Sequence, residues 1–504
     1  MRSLARLVRT GATFERTGAM AVVLEALGAP RALRAGLRAL LWPVRWLGYP
    51  GDSQVPPAPR ALTALGPAYV KFGQILSTRP DVVGPELAAQ LRRLQDRLPP
   101  FPRDRAMAEV ERELEAPLAT LFSEFSEPVA AASIAQVHRA RLRGTGEEVA
   151  VKVLRPDIEA AFKRDVDAFR LIAWVLELLV PASRRLRPRD VVAHFEGVVA
   201  GELDLRLEAS AASEFADNTA RDEGFRVPRV RWALSGRRVM TLDWVEGVGA
   251  GNAEAIATAG HDTEALAKRV LQLFLRHALR DGLFHGDMHQ GNLKVAPDGA
   301  LVALDFGIMG RIDAYTRRVY AEILFGFIRR DYRRVAEVHF EAGYVPAEQD
   351  VDEFARALRA VGEPIFGMDA TRISMGRVLH HLFEVTERFG MRTRTELIHL
   401  QRTMVVVEGV ARSLDPRMNI WDAARPEVEG YVARALGPVA VVGDLLRTAR
   451  VLARFGPLLP QMAEALLIQR GAVTQAPRRW MEAALWGGAG VAVAVLGLLV
   501  AGLL

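Results

Sequence analysis

The chain has 504 residues, half of them apolar, a formal charge of +6 and no cysteine. This length allows a bilobal catalytic domain of roughly 250 to 300 residues with additions at both ends. The absence of cysteine excludes disulfides, thiolate metal sites and cysteine nucleophiles. The positive charge favours contact with phosphates or an anionic membrane surface. Because neither zinc-finger spacing nor an aromatic RNA-binding signature accompanies it, nucleic acid is not expected as a partner.

Residues 1–60 are predicted to form a basic amphipathic N-terminal segment and a Pro-rich linker. The first 47 residues contain eight arginines and only two acidic residues, Glu15 and Glu25. The segment lacks the uninterrupted apolar core of a signal peptide, so export is not expected. Three interpretations stay open, namely a transit peptide, a helix on anionic lipid, and a helix packed on the domain with its arginines in water.

Residues 61–127 are predicted to form a helical extension. Lys71 and Gln74 lie on one polar stripe of a helix that is otherwise rich in apolar side chains, with Gly73 between them. Burying such groups without partners is costly, so this stripe is expected to meet polar partners. A second helix begins near Pro85 and ends at the Pro99-Pro100 pair.

Residues 128–248 are predicted to form the N-lobe of a kinase-like domain. Valines alternate with Ala150 and Lys152 on a strand, so Lys152 projects from the face opposite the valines. A Val-Ala-x-Lys strand after a turn of small residues is how kinases place the lysine that contacts the α and β phosphates. The turn here consists of Ala130, Ala131, Ala132 and Ser133 in place of glycines. Since alanine adopts positive φ only at a cost, nucleotide is expected to sit differently under this loop.

A lysine that contacts phosphates needs a carboxylate to hold it, commonly from a neighbouring helix. The pattern after Pro188 predicts one continuous helix, from which Glu202 is expected to pair with Lys152, with Glu196 as the alternative. Asp204 and Glu208 are predicted to lie on the same helix, where solvated charge is their simplest interpretation.

The strands predicted at 225–233 and 237–245 lead into a Gly-rich linker, which is typical of the hinge between two lobes. Asp243 and Val245 stand at this hinge, where backbone groups are expected to bind the edge of an adenine.

Residues 249–430 are predicted to form a helical C-lobe that contains the catalytic segment. Asp287 is followed by Asn292 after five positions and by the Asp305-Phe306-Gly307 triplet thirteen positions later. Asn292 and Asp305 supply the oxygen ligands that Mg²⁺ prefers, and Asp287 is expected to orient or deprotonate the attacking group. Residues 293–304 predict a β-hairpin that holds the two halves together.

The region after Gly307 is helical and lacks an A-P-E motif at the usual distance, which counts against protein phosphorylation. Residues 431–480 are predicted to be a helical juxtamembrane region and 481–504 a transmembrane anchor. Residues 483–504 carry no charge, and a helix of that length spans about 33 Å. The arginines before it predict a catalytic domain on the cytoplasmic side, in a bacterial inner membrane, and its glycines favour a homodimer.

Together these motifs resemble the UbiB/ADCK family of atypical protein-kinase-like proteins, over about residues 65–309. The matching positions are the K-x-G-Q residues Lys71, Gly73 and Gln74, the alanine-rich loop Ala130 to Ser133, Lys152, the E-x-D residues Glu202 and Asp204 with Glu208 beyond, and Asp287, Asn292 and Asp305. Two departures are Ala135, where the family commonly has glycine, and Asp243, where it often has glutamate.

The resemblance implies an α+β, bilobal protein-kinase-like fold with the K-x-G-Q helices packed over the active site, where a peptide would otherwise sit. Lys71 or Gln74 is then expected to approach Glu202, Asp204, Glu208 or the phosphates. ATP and Mg²⁺ are the implied cofactors. Membrane lipid or a quinone precursor, and quinone-biosynthesis proteins, are the implied partners.

The leading hypothesis is a membrane-anchored ATPase that supports ubiquinone or other isoprenoid-lipid biosynthesis. Two alternatives stay open. One is a small-molecule phosphotransferase, since the sequence from His285 to Asn292 also resembles the catalytic loops of aminoglycoside and choline kinases. The other is a non-catalytic lipid-binding scaffold that uses nucleotide as a structural switch.

Overall fold

A computed structural model of the chain describes residues 2–77, 80–94, 99–180, 184, 186–366, 375–391 and 395–436. The predicted transmembrane anchor at 481–504 and most of the juxtamembrane region lie outside these residues. Among the helices that are described, none combines the length and apolar character needed to cross a membrane.

The N-terminal segment is helical and packs on the rest of the domain through its first helix. Its helices are α1 (Arg2–Thr17), α2 (Ala19–Ala26) and α3 (Arg31–Leu41). Arg6 donates to the Asp165 carboxylate at 2.7 Å, and the hydroxyls of Thr10 and Tyr69 lie 2.7 Å apart. Helix α3 contains no fully buried residue. Of the three interpretations of this segment, the packed helix describes α1, except that Arg6 is part-buried in its pair with Asp165 and does not face water.

The K-x-G-Q extension is a group of short helices. They are α4 (Pro57–Leu65), α5 (Pro67–Ser77), α6 (Pro80–Val83) and α7 (Pro85–Leu91). Gly73 lies where α5 packs most tightly, since a Cβ added there would stand 2.5 Å from Leu62 Cδ1 and 2.4 Å from Leu94 Cδ1. The K-x-G-Q glycine is therefore required by close helix packing.

The N-lobe is built on an antiparallel sheet that, within the described residues, has the strand order β1-β2-β3-β5. Its elements are α8 (Arg103–Leu114), α9 (Leu118–Leu121), β1 (Phe122–Ala131), β2 (Ala135–Leu142), β3 (Glu148–Leu154), α10 (Ile158–Leu179) and β5 (Val239–Asp243). Val149, Val151 and Val153 are fully buried and belong to the same core cluster as Ala106 and Val110 of α8. The predicted alternation on β3 is confirmed, although the sheet begins at Phe122, ahead of the strand predicted from Pro128.

The helix predicted to run from Pro188 through Glu208 is two helices, which corrects the prediction. Helix α11 (Pro188–Glu202) ends at Glu202, and α12 (Leu205–Thr219) begins after Asp204. Asp204 caps the new helix, because its carboxylate accepts the backbone N–H of Arg206 at 3.1 Å. The Leu205 N–H donates to the carbonyl oxygen of Arg237 at 2.9 Å, which turns the chain towards the sheet.

Two predicted strands are shorter than expected. Of 225–233 only β4 (Phe225–Arg226) is a strand, and of 237–245 only β5 is. Pro228 cannot donate to a sheet ladder, and the chain after it forms the isolated Val230–Leu242 bridge with β5 in place of a continuous ladder.

The C-lobe combines small sheets with helices. Its strands are β6 (Val248–Gly249), β7 (Leu283–His285), β8 (Leu293–Val295), β9 (Leu301–Ala303) and β10 (Met309–Arg311). Its helices are α13 (Ala253–Thr258), α14 (Thr263–Arg276), α15 (Ala314–Arg329), α16 (Tyr332–Glu341), α17 (Val351–Phe366), α18 (Met375–Arg388), α19 (Thr395–Leu414) and α20 (Ile420–Leu436). The predicted hairpin is confirmed, since β8 and β9 pair antiparallel with Leu293 opposite Ala303. It turns at Gly299, whose φ of +82° suits glycine.

The packing around Gly73 can be tested by overfilling it. The Gly73→Val variant should lower the free energy of unfolding by about 1–3 kcal/mol, because its methyl groups collide with two buried leucines. The matched Gly197→Val variant, at an exposed position of α11 with no neighbour within 4 Å, should change stability by less than about 0.5 kcal/mol. Denaturant unfolding measures both, and equal stability of the two variants would contradict the packing.

Candidate active site

Lys152 is held between two carboxylates that come from different parts of the fold. Its Nζ lies 2.6 Å from Glu208 Oε1 on α12 and 3.3 Å from Asp305 Oδ2. Burial alone would lower the pKa of Lys152, but Asp305 and Glu208 outweigh it and raise that pKa above its ordinary value. Burial acts to raise the pKa of Asp305, yet Lys152 and the Gly307 N–H bring it down to about 2. Both groups are therefore charged at neutral pH.

The prediction that Glu202 pairs with Lys152 is wrong. Glu202 ends α11 on the other side of the helix break and lies 2.8 Å from the Nζ of Lys71. The alternative, Glu196, pairs with Arg170 at the surface at 2.7 Å. Glu208, taken from the sequence as solvated charge, is the buried partner of Lys152 because α12 turns inward after Asp204.

The Lys71–Glu202 ion pair joins the K-x-G-Q extension to α11. The two side chains are only 15% and 13% exposed, so the polar stripe of α5 has the partner that its burial requires. Gln74 lies half-buried one turn further along α5. Asp204 binds the guanidinium of Arg206, with Oδ2 and Nη2 2.6 Å apart. Of the three carboxylates expected to receive Lys71, the structure brings Glu202 to it.

The alanine turn is closed by its own backbone and braced by an arginine. Ala130 and Ala131 end β1, and the Ala132 N–H donates to the carbonyl oxygen of Ala135 at 2.8 Å. Arg155 donates to the Ala132 carbonyl oxygen at 2.8 Å and to that of Pro99 at 2.9 Å. This brace ties the turn to the chain that leaves the extension, and no sequence pattern around Arg155 signals it.

Ser133 and Gln136 lie beneath the alanine turn. Ser133 is fully buried, and its hydroxyl has no hydrogen-bond partner among the described residues. The Gln136 side chain exchanges two hydrogen bonds with the backbone of Phe101, at 3.0 and 3.2 Å. The sequence-based site prediction does not include Gln136, although this residue lies on β2 shortly after the alanine turn.

The side chains of the hinge residues Asp243 and Val245 have different surroundings, the first charged and the second apolar. The Asp243 carboxylate lies between Arg231 and Arg229, so the side chain is committed to these arginines. The Val245 carbonyl oxygen accepts a hydrogen bond from Lys294 Nζ at 3.0 Å. Val245 itself packs half-buried against the cluster of Ala296, Ala300 and Val302. Any contact from Asp243 to a ligand would therefore be made by its backbone.

The predicted catalytic loop, from His285 to Asn292, is fixed by hydrogen bonds that leave the Asp287 side chain facing outward. The Asp287 N–H donates to His285 Nδ1 at 3.1 Å, and Asn292 Nδ2 donates to the Asp287 carbonyl oxygen at 3.0 Å. The Asp287 carboxylate remains 40% exposed, with His289 Nε2 3.7 Å away. Phe306 is buried between Phe215 and His285, which seats Asp305 beside Lys152.

Helix α19 also contacts this loop, which the sequence did not indicate. The Thr403 hydroxyl donates to the Gly286 carbonyl oxygen at 2.9 Å. The contact joins positions 117 apart in the chain, and the only local signal is a glycine next to Asp287.

The pairing of Glu202 with Lys71, in place of the predicted pairing with Lys152, can be tested with double-mutant cycles. Lys71→Met combined with Glu202→Gln should show a coupling energy of about 1 kcal/mol, because the two groups pair. Lys152→Met combined with Glu202→Gln should be additive within about 0.3–0.5 kcal/mol, because these groups do not touch. Denaturant unfolding of the single and double variants gives both numbers. Coupling in the second cycle and additivity in the first would restore the original assignment.

Comparison with known proteins agrees with this geometry. Residues 93–339 match the ABC1 atypical kinase-like domain and residues 358–419 match the UbiB helical domain. The proteins named "Probable protein kinase UbiB" from Aeromonas salmonicida strain A449 and from Marinobacter nauticus are 39% and 38% identical to this chain over 414 residues, covering 81% of it and 76% of each relative.

A solved structure is similar as well. The complex of Rv3197 with erythromycin from Mycobacterium tuberculosis superimposes with a TM-score of 0.50 at 25% identity, over 70% of this chain and 90% of that one. The chain therefore belongs to the UbiB family of ABC1 atypical kinase-like proteins.

Proposed function

We propose that this protein is a magnesium-dependent, membrane-associated ATPase that supports ubiquinone or other isoprenoid-lipid biosynthesis. The observation that carries the proposal is the contact of Lys152 with both Glu208 and Asp305. A lysine on the third strand held by a helix carboxylate, beside the Asp of an Asp-Phe-Gly triplet, is the arrangement that phosphoryl transfer requires. Family membership supports kinase-like chemistry.

ATP fits the cleft between the lobes. Ala150 and Lys152 lie on the same face of β3, so one could pack on the adenine while the other contacts the phosphates. The buried, unpartnered hydroxyl of Ser133 under the alanine turn is a polar group that a phosphate oxygen would satisfy. Backbone groups near Val245 would bind the adenine edge.

Mg²⁺ fits the donor set formed by Asn292 and Asp305. The amide nitrogen of Asn292 donates to the Asp287 carbonyl oxygen, so its amide oxygen remains as the ligand atom. Asp305 is ionised, since Lys152 and Gly307 hold its pKa at about 2. No group of three or more metal-binding side chains exists among the described residues. Mg²⁺ characteristically completes such a site with phosphate oxygens and water, and the ion would neutralise charge on the phosphates.

The acceptor is proposed to be water or a small molecule carried by the membrane. Lys71 and Glu202 fasten the extension to α11, the resemblance places this extension where a peptide would otherwise sit, and an A-P-E motif at the usual distance is lacking. Asp287, exposed at the loop, would orient the attacking hydroxyl and accept its proton.

An exposed aromatic patch supports contact with a membrane. Leu40, Trp42 and Trp46, at and after the end of α3, are 70%, 59% and 70% exposed, and the Arg45 guanidinium lies 5.3 Å from the centre of the Trp42 ring. Tryptophan with neighbouring arginine is the composition that settles at the interface of anionic bilayers. We propose that this patch, together with the anchor at 481–504, holds the catalytic domain on the cytoplasmic side of a bacterial inner membrane. Quinone-biosynthesis proteins and a second copy of the chain are proposed partners there.

Turnover tests the catalytic assignment. Asp305→Asn and Lys152→Met should each lower Mg-dependent phosphate release from ATP by about 100-fold or more, because the first removes the charged ligand of Mg²⁺ and the second removes the cation that faces the phosphates. Asp298→Asn, the same change at an exposed hairpin turn paired with Arg226, should leave turnover unchanged. The full chain in anionic lipid nanodiscs is the material for the assay. Full turnover by Asp305→Asn would overturn the proposal.

Two further readouts separate the alternatives. A phosphorylated metabolite formed in equal amount with ADP would favour the small-molecule phosphotransferase. Rescue of quinone levels in deleted cells by the Asp287→Asn variant would favour the non-catalytic scaffold.

The membrane patch can be tested because the chain contains no cysteine. A nitroxide attached to the thiol of the Trp46→Cys variant should be more accessible to oxygen than to a water-soluble nickel complex when the full chain is in anionic nanodiscs. The same label on Trp232→Cys, at an N-lobe position that is 50% exposed, should show the opposite preference. A label at position 46 that remains accessible to nickel would exclude the patch from the bilayer.

A further inference from the structure

Helix α19 packs so closely on the catalytic loop that it excludes a side chain at Gly286, which directly precedes Asp287. A Cβ added at Gly286 would lie 2.5 Å from His399 Nε2. The Gly286 carbonyl oxygen accepts the Thr403 hydroxyl at 2.9 Å, and the rings of Phe284 and His399 meet edge to face with centroids 6.0 Å apart. These contacts fix one face of α19 against the loop.

Arg402 lies on that face of α19, three positions after His399 and directly before Thr403. Partial desolvation lowers the pKa of Arg402, and the Asp287 carboxylate opposes that shift. Burial and the charge of Arg402 lower the pKa of the neighbouring His399, and the Asp287 carboxylate opposes that shift as well. Because Thr403 contacts the Gly286 carbonyl oxygen, the adjacent Arg402 lies beside the loop that carries Asp287, where the attacking group would be held.

The guanidinium of Arg402 is available to an incoming anion. Within the described part of the chain, no carboxylate lies within 4.0 Å of it, and the residue is exposed to solvent. Arg412 of the same helix differs, since it binds Glu408 at 2.9 Å. A guanidinium presents a planar fork of donors that matches phosphoryl oxygens and remains charged at every physiological pH.

We infer that Arg402 of the UbiB helical domain binds phosphoryl oxygens beside Asp287 and neutralises the charge on the group in transfer. The inference rests on the proposed ATPase function and adds a residue to it. In hydrolysis the water oxygen bonds to the γ-phosphorus as the bond from that phosphorus to the β–γ bridging oxygen breaks. ADP leaves with the electron pair and the water proton passes to Asp287. Arg402 exchanges no proton and acts as an arginine finger supplied in cis.

Charge and shape at position 402 can be separated by two substitutions. Arg402→Gln should lower kcat for ATP hydrolysis about tenfold or more while leaving the Kd for ADP, which lacks the γ-phosphate, within about twofold. Its affinity for ADP with aluminium fluoride, which mimics the group in transfer, should fall with kcat. Arg402→Lys should recover part of both losses because it restores the charge. Arg417→Gln, at an 81% exposed side chain, is the matched control and should behave as the parent.

Two sources of the anion give different results in this assay. If Arg402→Gln lowers kcat with ATP alone, the anion is the γ-phosphoryl group. If it lowers kcat only when farnesyl diphosphate is added in detergent micelles, the anion is a phosphate on a lipid acceptor. Unchanged kcat and aluminium fluoride affinity for Arg402→Gln, with and without that lipid, would overturn the inference. If Asp305→Asn and Asp287→Asn abolish turnover in the same preparation, the proposed ATPase function survives that failure. If neither does, the proposed function itself fails.

Discussion

The structure depends on one charge placed between the lobes. Lys152 comes from the N-lobe sheet, Glu208 from α12 and Asp305 from the Asp-Phe-Gly triplet of the C-lobe, and the ammonium lies within 3.3 Å of both carboxylates. Removing one member of a buried ionic group leaves an uncompensated charge and commonly costs about 3–5 kcal/mol. The three positions are therefore held together by electrostatics as well as by packing. The same arrangement keeps Lys152 and Asp305 charged, which is the state that phosphates and a divalent cation would require.

A single helix break decides how the acidic side chains are shared. Because Asp204 caps α12 and Leu205 bonds to the backbone of Arg237, Glu202 and Glu208 point to different partners although only six positions separate them. Glu202 binds Lys71 and holds the extension, and Glu208 binds Lys152, the lysine that is proposed to contact the phosphates. The extension and the proposed nucleotide site are thus linked through two successive helices, α11 and α12. Arg155 makes a second link between them, since it bonds to Pro99 and to the alanine turn.

The helical domain completes the catalytic loop from the other side. Kinases that act on proteins use the region after the Asp-Phe-Gly triplet to seat a peptide, whereas here α19 lies against Gly286 through His399 and Thr403. These contacts brace the loop directly before Asp287, from a helix more than a hundred positions away in the chain. Under the proposed function, such bracing would help to position a small acceptor, because positioning supplies much of the rate in phosphoryl transfer.

The amino-acid sequence by itself determined the elements with strong local signals. The alternation of Val149, Val151 and Val153 set the face of Lys152, and the turn at Gly299 set the β8–β9 hairpin. The spacing of Asp287, Asn292 and Asp305 predicts the catalytic segment. Only the tertiary structure decided which charged side chains pair with one another. The sequence around a glutamate does not show where its helix ends or turns. The contact of α19 with Gly286 likewise depends on how elements distant in the chain pack together, and its only local sign in the sequence is the glycine itself. Periodicity is a local property that a few residues encode, whereas ion pairs between elements depend on the angles at which those elements meet.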